Sequence, residues 1–240
     1  MSEASSPSGL LVIDKPEGLT SMDVCRRVRA RLRRGGAPKG VKVGHGGTLD
    51  PLATGVLVVM VGKATKLCDR VMAGEKRYLA DVDLSAFSAT DDREGEREEV
   101  SVSQAPSRDD VAAACARFVG EFMQTPPAYS AIKVEGRRAY RVARGGGTPE
   151  LPPRPVVVHA IDVVSYRWPH AMLDVRCAKG VYIRSLARDL GRALGTGGML
   201  AGLRRTGVGA YAIEQAVALD DLPEALTQQH LLDPVRDRPS

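Results

Sequence analysis

Aromatic side chains are scarce in this chain. One Trp, six Tyr and three Phe make up 4% of 240 residues, so aliphatic side chains must fill the core and the few tyrosines become candidates for ligand contact. Cysteine is also sparse. Cys25, Cys68, Cys115 and Cys177 lie no closer than 43 positions apart, which excludes a disulfide scaffold and the paired spacing of a zinc site and reads as reduced thiols of a cytoplasmic protein. The longest strongly apolar run, Val56 to Val61, is far short of the roughly 20 residues that cross a bilayer. The N-terminus, MSEASSPSG, lacks the basic and apolar regions of a signal peptide. Catalytic signatures are missing too. Gly62-Lys63 is followed by Ala64 and not by Ser or Thr, so it is no phosphate loop, and there is no G-x-S-x-G, G-x-G-x-x-G or H-E-x-x-H. Hydrolase triads, dinucleotide cofactors and zinc-peptidase chemistry lose their support.

What is present is a globular composition, 43% hydrophobic and 26% charged, long enough for one large domain or two small ones. Lys plus Arg is 34 against 29 Asp plus Glu, a net charge of +5, and arginine outnumbers lysine 26 to 8. Planar guanidinium groups suit phosphate recognition; a GC-rich coding bias explains the same excess. The charge is unevenly placed. Residues 81 to 110 carry ten acidic and three basic side chains, and residues 130 to 210 carry fourteen basic and five acidic ones. The basic stretch is long enough to follow a polyanion, and Tyr140 and Tyr182 sit among its arginines as stacking platforms would. A merely solvated arginine face is the competing reading.

Leu10 to Ile13 reads as a strand. Thr20 with Asp23 resembles a capping box for a helix with Val24, Val28 and Leu32 on one side and Arg26, Arg27, Arg29, Arg31, Arg33 and Arg34 on the others. The glycine-rich stretch 35 to 47 reads as a loop, Val56 to Val61 as a fully buried strand, Ala64 to Met72 as a short helix and Tyr78 to Leu84 as a strand. Residues 85 to 106 read as an exposed acidic loop, and Ser107 with Asp110 as the cap of a helix to Phe118. Ile132 to Val134 reads as a strand and Arg137 to Arg144 as a small basic helix. Val156 to Val164 and Met172 to Cys177 read as paired strands, Ile183 to Leu194 as a helix ended by Gly195, and Leu203 to Ile213 as a last strand. Strands and helices mix without a regular βαβ repeat, which predicts an α+β fold around a largely antiparallel sheet.

Two segments carry chemistry. In Gly44-His45-Gly46-Gly47-Thr48-Leu49-Asp50-Pro51, glycines allow close approach of a ligand, Pro51 stiffens the turn, and the following strand makes a rigid platform. Asp50-Pro51 reads either as a simple turn cap or as a carboxylate held at the mouth of a cleft. Lys179-Gly180-Val181-Tyr182-Ile183-Arg184 stands at a strand–helix junction, where Arg184 is a candidate countercharge for an isolated aspartate.

The run GHGGTLDPLATGVLVV, with LLVIDKPEGLTS before it, KRYLADVDL and QTPPAYSAIKVEGRRAY after it, and KGVYIRSLARDLG followed by LRRTGVG, resembles the bacterial tRNA pseudouridine synthase B family over residues 10 to 215. The resemblance implies a pseudouridine synthase fold, a central, mainly antiparallel mixed sheet with flanking helices. It also implies isomerisation of a T-loop uridine of tRNA to pseudouridine, with no cofactor and no metal. It assigns Asp50 as nucleophile, Tyr78 as the ring that stacks on the uracil, and Arg184 as the partner of the nucleophile. His45, Tyr182 and Leu203 match substrate contacts, and Lys15 belongs to a motif supporting the site from behind. Two departures stand out. Gly46 stands where the family usually has Thr or a similar residue, which is expected to make the loop more mobile. The expected organisation is a disordered tail at 1–9, a catalytic domain at 10–215 and a short tail at 216–240, too few residues for an RNA-binding module of the PUA type. The chain is expected to act as a monomer in the cytoplasm on the T arm of tRNA, with phosphate contacts from the 26–34 helix and the 130–210 region. A tRNA-folding chaperone, which needs the basic surface but not Asp50, is the competing function.

Overall fold

The computed structural model describes residues 6–130, 133–134, 137–139, 142, 147 and 151–233. In chain order the elements are β1 (Gly9–Lys15), α1 (Ser21–Arg34), β2 (Val43–His45), β3 (Thr54–Val61), α2 (Cys68–Ala73), β4 (Lys76–Asp83), β5 (Ala86–Ser88), β6 (Arg97–Glu99), α3 (Arg108–Ala116) and β7 (Gly120–Gln124). They continue with β8 (Lys133–Val134), β9 (Arg137–Arg138), β10 (Arg154–Arg167), β11 (His170–Cys177), α4 (Ile183–Leu194), β12 (Met199–Val208), β13 (Tyr211–Ala212) and β14 (Val217–Ala218). The architecture is α+β with mixed strand pairing. The chain divides into two compact units, residues 1–77 with 204–240, and residues 78–203.

In the first unit the strands lie in the order β14-β1-β3-β12. β1 and β3 are antiparallel, whereas β14 joins β1 and β12 joins β3 in parallel. β3 is buried along almost its whole length because both of its faces are covered. Leu57, Val59 and Val61 share a cluster with Val24, Val28 and Leu32 of α1. Val56, Val58 and Met60 share another with Leu10, Val12 and the partly buried Leu67 and Val71. Alternate residues of a strand point to opposite faces, so a strand between two layers reads as an unbroken apolar run. Burying each of the three α1 side chains contributes about 1.5–3 kcal/mol. The Thr20–Asp23 capping box is present: the Thr20 hydroxyl accepts from the Asp23 amide at 3.1 Å and the Asp23 carboxylate accepts from the Thr20 amide at 2.9 Å.

Three features of this unit depart from the expectations. The glycine-rich loop contains β2, where Val43 pairs opposite Val61; three residues are too few to show a period. Gly46 is packed, not loose: its amide donates to Val58 O at 2.8 Å, and a β-carbon there would lie 2.3 Å from Val71 Cγ1. The arginines of α1 are engaged within the unit. Arg31 donates to Leu219 O, Arg34 and Arg31 pair with Glu224, and Arg27 pairs with Asp220. Leu219, Leu222, Leu226 and Leu231 enter the α1 cluster, and Leu10 and Leu232 exchange backbone hydrogen bonds of 2.9 Å. The arginine face of α1 seats the segment after β14 and does not stand wholly open to phosphate.

In the second unit the order is β12-β4-β11-β10-β7. β10 and β11 form the expected antiparallel pair, and β10 also pairs antiparallel with β7, a strand that five residues of mixed polarity hid from the sequence reading. Ser107 caps α3 through a capping box with Asp110. α4 ends where expected, at Gly195 with φ +68°, a conformation glycine adopts without a side-chain penalty. The expected exposed acidic loop is different in its first part. It forms β5 and β6, and Ser88, Asp91 and Asp92 are buried. Arg137–Arg138 is a strand paired with Lys133–Val134; Ile132, Tyr140 and most of the expected 137–144 helix lie outside the described residues. No helix among the described residues is long and apolar enough to cross a membrane.

Candidate catalytic site

Lys15, His45 and Asp50 belong to the first unit; Tyr78, Tyr182, Arg184 and Leu203 belong to the second. The Asp50 turn is held by its backbone carbonyls, five in succession. Gly47 O and Thr48 O accept from the Arg205 guanidinium at 3.2 and 3.3 Å. Leu49 O accepts from Ser21 Oγ at 3.1 Å, and the Leu49 amide donates back to the same hydroxyl at 2.8 Å. Asp50 O accepts from the Ala53 amide at 3.1 Å, and Pro51 O from the Gly18 amide at 2.8 Å and Lys15 Nζ at 3.4 Å. A turn whose five successive carbonyls are committed cannot rotate without breaking several bonds, so the half-buried Asp50 side chain is carried on a rigid base. Arg205 is 1% exposed and also donates to Val56 O at 2.8 Å. Its backbone packs on Gly55, whose φ is +101° and whose hypothetical β-carbon would lie 2.2 Å from Arg205 O. Only glycine fits there.

Lys15 is fully buried, and its ammonium donates to Pro16 O and Leu19 O at 2.8 Å as well as to Pro51 O. Burial pushes its pKa down to about 8, reinforced by Arg205 and opposed by the charges of Asp50 and Glu17. Between pH 8 and the ordinary lysine value the native chain binds fewer protons than the unfolded chain, so stability rises with pH across that window. Relative to Lys15→Met, the wild-type chain is expected to gain about 2–3 kcal/mol between pH 7.5 and 10.5, read from urea midpoints at each pH. A flat difference would show that Lys15 does not titrate in this window. His45 is half-buried, and burial, then Arg205, lowers its pKa, with a backbone contact to Gly47 acting the other way. It stands in the loop as a neutral imidazole at pH 7.

In the second unit, α4 begins at the Tyr182 N-cap and presents Arg184 and Arg188 one turn apart on a buried face. Arg184 donates to Thr90 O at 3.1 Å and Tyr129 O at 3.0 Å and lies 3.5 Å from the Asp92 carboxylate. Arg188 pairs with Asp91 at 2.7 Å and with Asp189 at 2.9 Å, and donates to Thr125 O at 2.9 Å. Burial raises the Asp91 pKa, and the neighbouring Arg188 and Arg184 act against that rise. Two buried carboxylates from the acidic segment therefore face two buried guanidinium groups of α4. Tyr78 is buried on β4, and Leu203 is half-buried on β12. Tyr182 is half-buried, with the Arg154 guanidinium 5.0 Å from its ring centroid.

The sequence reading overlooked Arg205, Ser21, Asp91, Asp92, Arg188 and Gln124. Arg205 stands in the LRRTGVG segment and Ser21 at the first position of α1, where neither residue type nor spacing points to the Asp50 turn. Asp91 and Asp92 lie in a segment whose charge density points to solvent.

Comparisons with known proteins bear on the same segments. Residues 33–183 match the N-terminal domain of TruB family pseudouridylate synthases, and residues 184–236 match the tRNA pseudouridylate synthase B C-terminal domain. The tRNA pseudouridine synthase B of Arthrobacter sp. (strain FB24) is 47% identical over 225 residues, covering 91% of this chain and 72% of the relative. That of Thermobifida fusca (strain YX) is 47% identical over 237 residues, covering 95% and 78%. Among solved structures, a Cbf5-Nop10-Gar1 complex contains a chain 30% identical to this one, with a TM-score of 0.68 over 89% of this chain. An H/ACA RNP bound to a substrate RNA containing 2'-deoxyuridine contains one 27% identical, with a TM-score of 0.64 over 89%. This chain spans about half the length of those two, 53% and 52%.

Proposed function

This chain belongs to the TruB family of pseudouridylate synthases and is a tRNA pseudouridine synthase, and from that premise we propose that it isomerises the T-loop uridine at position 55 with Asp50 as its nucleophile. The N1–C1′ bond breaks, the uracil turns, and C5 joins C1′. The C5 proton is then lost and N1 ends protonated, so no atom is gained or lost overall. Asp50 either attacks C1′ or removes a proton to give a glycal; both routes need one ionised carboxylate and no opposed partner, unlike glycoside hydrolysis, which uses two. Arg184 is assigned as its countercharge, the Tyr78 ring as the surface on which the detached uracil turns, Tyr182 and Leu203 as contacts to the nucleotide, and Lys15 as support beneath the turn. A uridine inside a folded loop must be extruded, which costs about a few kcal/mol. His45, neutral and set in the loop before Asp50, is assigned to the space the flipped base leaves. The observation that carries the reading is the Asp50 turn itself, with every carbonyl from Gly47 to Pro51 committed.

The test is to incubate the full chain with total RNA and with an unmodified tRNA transcript and to map pseudouridines. A single new site in the T loop is expected. Sites confined to other stem-loops would redirect the substrate assignment, and refolding of tRNA with no new pseudouridine would favour the chaperone reading. Tyr78→Phe keeps the ring but loses the hydroxyl. If the hydroxyl moves the C5 proton, the single-turnover rate is expected to fall about 10²-fold or more; an unchanged rate would confine Tyr78 to stacking.

A further inference from the structure

Tyr182 has no side-chain cap of its own kind at the start of α4. Its backbone is held instead by Gln124, which is 0% exposed at the end of β7. Gln124 Oε1 accepts from the Tyr182 amide at 2.9 Å, and Gln124 Nε2 donates to the Tyr182 carbonyl at 3.1 Å. One side-chain amide thus pairs with both backbone groups of one residue, as a neighbouring strand would. The same carbonyl accepts from the Leu186 amide at 3.0 Å, the first turn of α4. The ring is held separately. Arg154, at the start of β10, places its guanidinium 5.0 Å from the ring centroid and donates from Nη2 to Gly180 O at 2.8 Å. Gln124 and Arg154 are themselves direct partners in the antiparallel β7–β10 ladder, where opposed side chains project from the same face of the sheet.

We propose that Gln124 and Arg154 form a positioning pair for the pseudouridylation site, gripping Tyr182 by backbone and by ring from one cross-strand position. Arg154 covers one face of the Tyr182 ring, and the grip sets the start of α4 two residues before Arg184. Neither residue touches the reacting atoms; both act through Tyr182. The inference rests on the function proposed above.

A double-mutant cycle tests it. Arg154→Met is expected to slow single-turnover pseudouridine formation at saturating tRNA about fivefold, with the tRNA Kd and the unfolding midpoint unchanged. In a Tyr182→Leu background, Arg154→Met is expected to slow the reaction no further, because the ring it acts through is gone. Arg154→Lys keeps a cation but not the planar stack, and is expected to fall between the two. If Arg154 instead binds an RNA phosphate, its loss weakens Kd equally in both backgrounds and lowers the salt slope by about one; that result overturns the proposal, as does simple additivity of the two rate effects. Gln124→Met preserves volume and removes both hydrogen bonds, and is expected to lower the rate at unchanged Kd. Should that variant fail to fold, the cycle on the half-exposed Arg154–Tyr182 pair still decides. A wild-type chain that forms no pseudouridine in tRNA refutes the proposed function; an active wild-type chain with additive or absent effects refutes only the positioning pair.

Discussion

Asp50→Asn is expected to reduce pseudouridine formation on an unmodified tRNA transcript by at least about 10⁴-fold while leaving tRNA affinity within about tenfold. The amide is nearly isosteric with the carboxylate, and the bonds that hold the turn run to backbone carbonyls and to the amides of Leu49, Gly18 and Ala53. The turn should therefore keep its shape while losing the nucleophilic carboxylate. The check is a single-turnover assay paired with filter binding on the same preparation. Catalysis retained at more than a few percent of the wild-type rate would remove Asp50 from the chemistry. A parallel loss of binding would mean that the carboxylate is needed to shape the RNA surface.

Arg205→Leu is expected to destabilise the first unit. The guanidinium is 1% exposed and is the donor to Val56 O, Thr48 O and Gly47 O. Its removal leaves the buried Val56 carbonyl and the part-buried Gly47 and Thr48 carbonyls without that donor, which is expected to lower stability by about 2–4 kcal/mol. The measurement is the urea midpoint at constant m-value. Activity should fall with it, because the Gly47–Thr48 end of the Asp50 turn loses its anchor. The positive charge of Arg205 also depresses the pKa of His45 and of Lys15, so both are expected to titrate higher in the variant, which NMR can follow for the imidazole. A stability change within about 1 kcal/mol would show that the turn is held by Ser21, Gly18 and Lys15 without help from Arg205.

Local signals were legible where the physics is local. The Thr20 and Ser107 capping boxes, the Gly195 stop and the spacing of Val24, Val28 and Leu32 involve residues within one or two turns of each other, and each is found in place. The unbroken apolar run of β3 was equally readable, since burial on both faces removes the polar alternation that a solvated strand would show. β2 and β7 escaped because short strands with one or two buried positions show no period. The acidic segment was misread for a different reason. Its charge density suggests solvent, and the sequence does not show that Arg188 lies 97 positions from Asp91 in the chain yet 2.7 Å away in space. A buried carboxylate is tolerable only with such a partner.

The same division runs through the site residues. By itself the sequence determined that Asp50 stands in a glycine-flanked, proline-stiffened turn before a rigid strand, and that Tyr182 and Arg184 stand at the start of a helix. Both follow from neighbours a few residues away. Only the tertiary structure decided what the arginines do. Of the many that composition offered to phosphate, Arg205, Arg184 and Arg188 are buried, Arg31 and Arg34 hold the segment after β14, and Arg154 lies over Tyr182. A guanidinium carries the same charge wherever it stands. Whether it meets a carbonyl, a carboxylate or a ring is settled by which distant strand the fold brings beside it, and residue type and spacing hold no record of that.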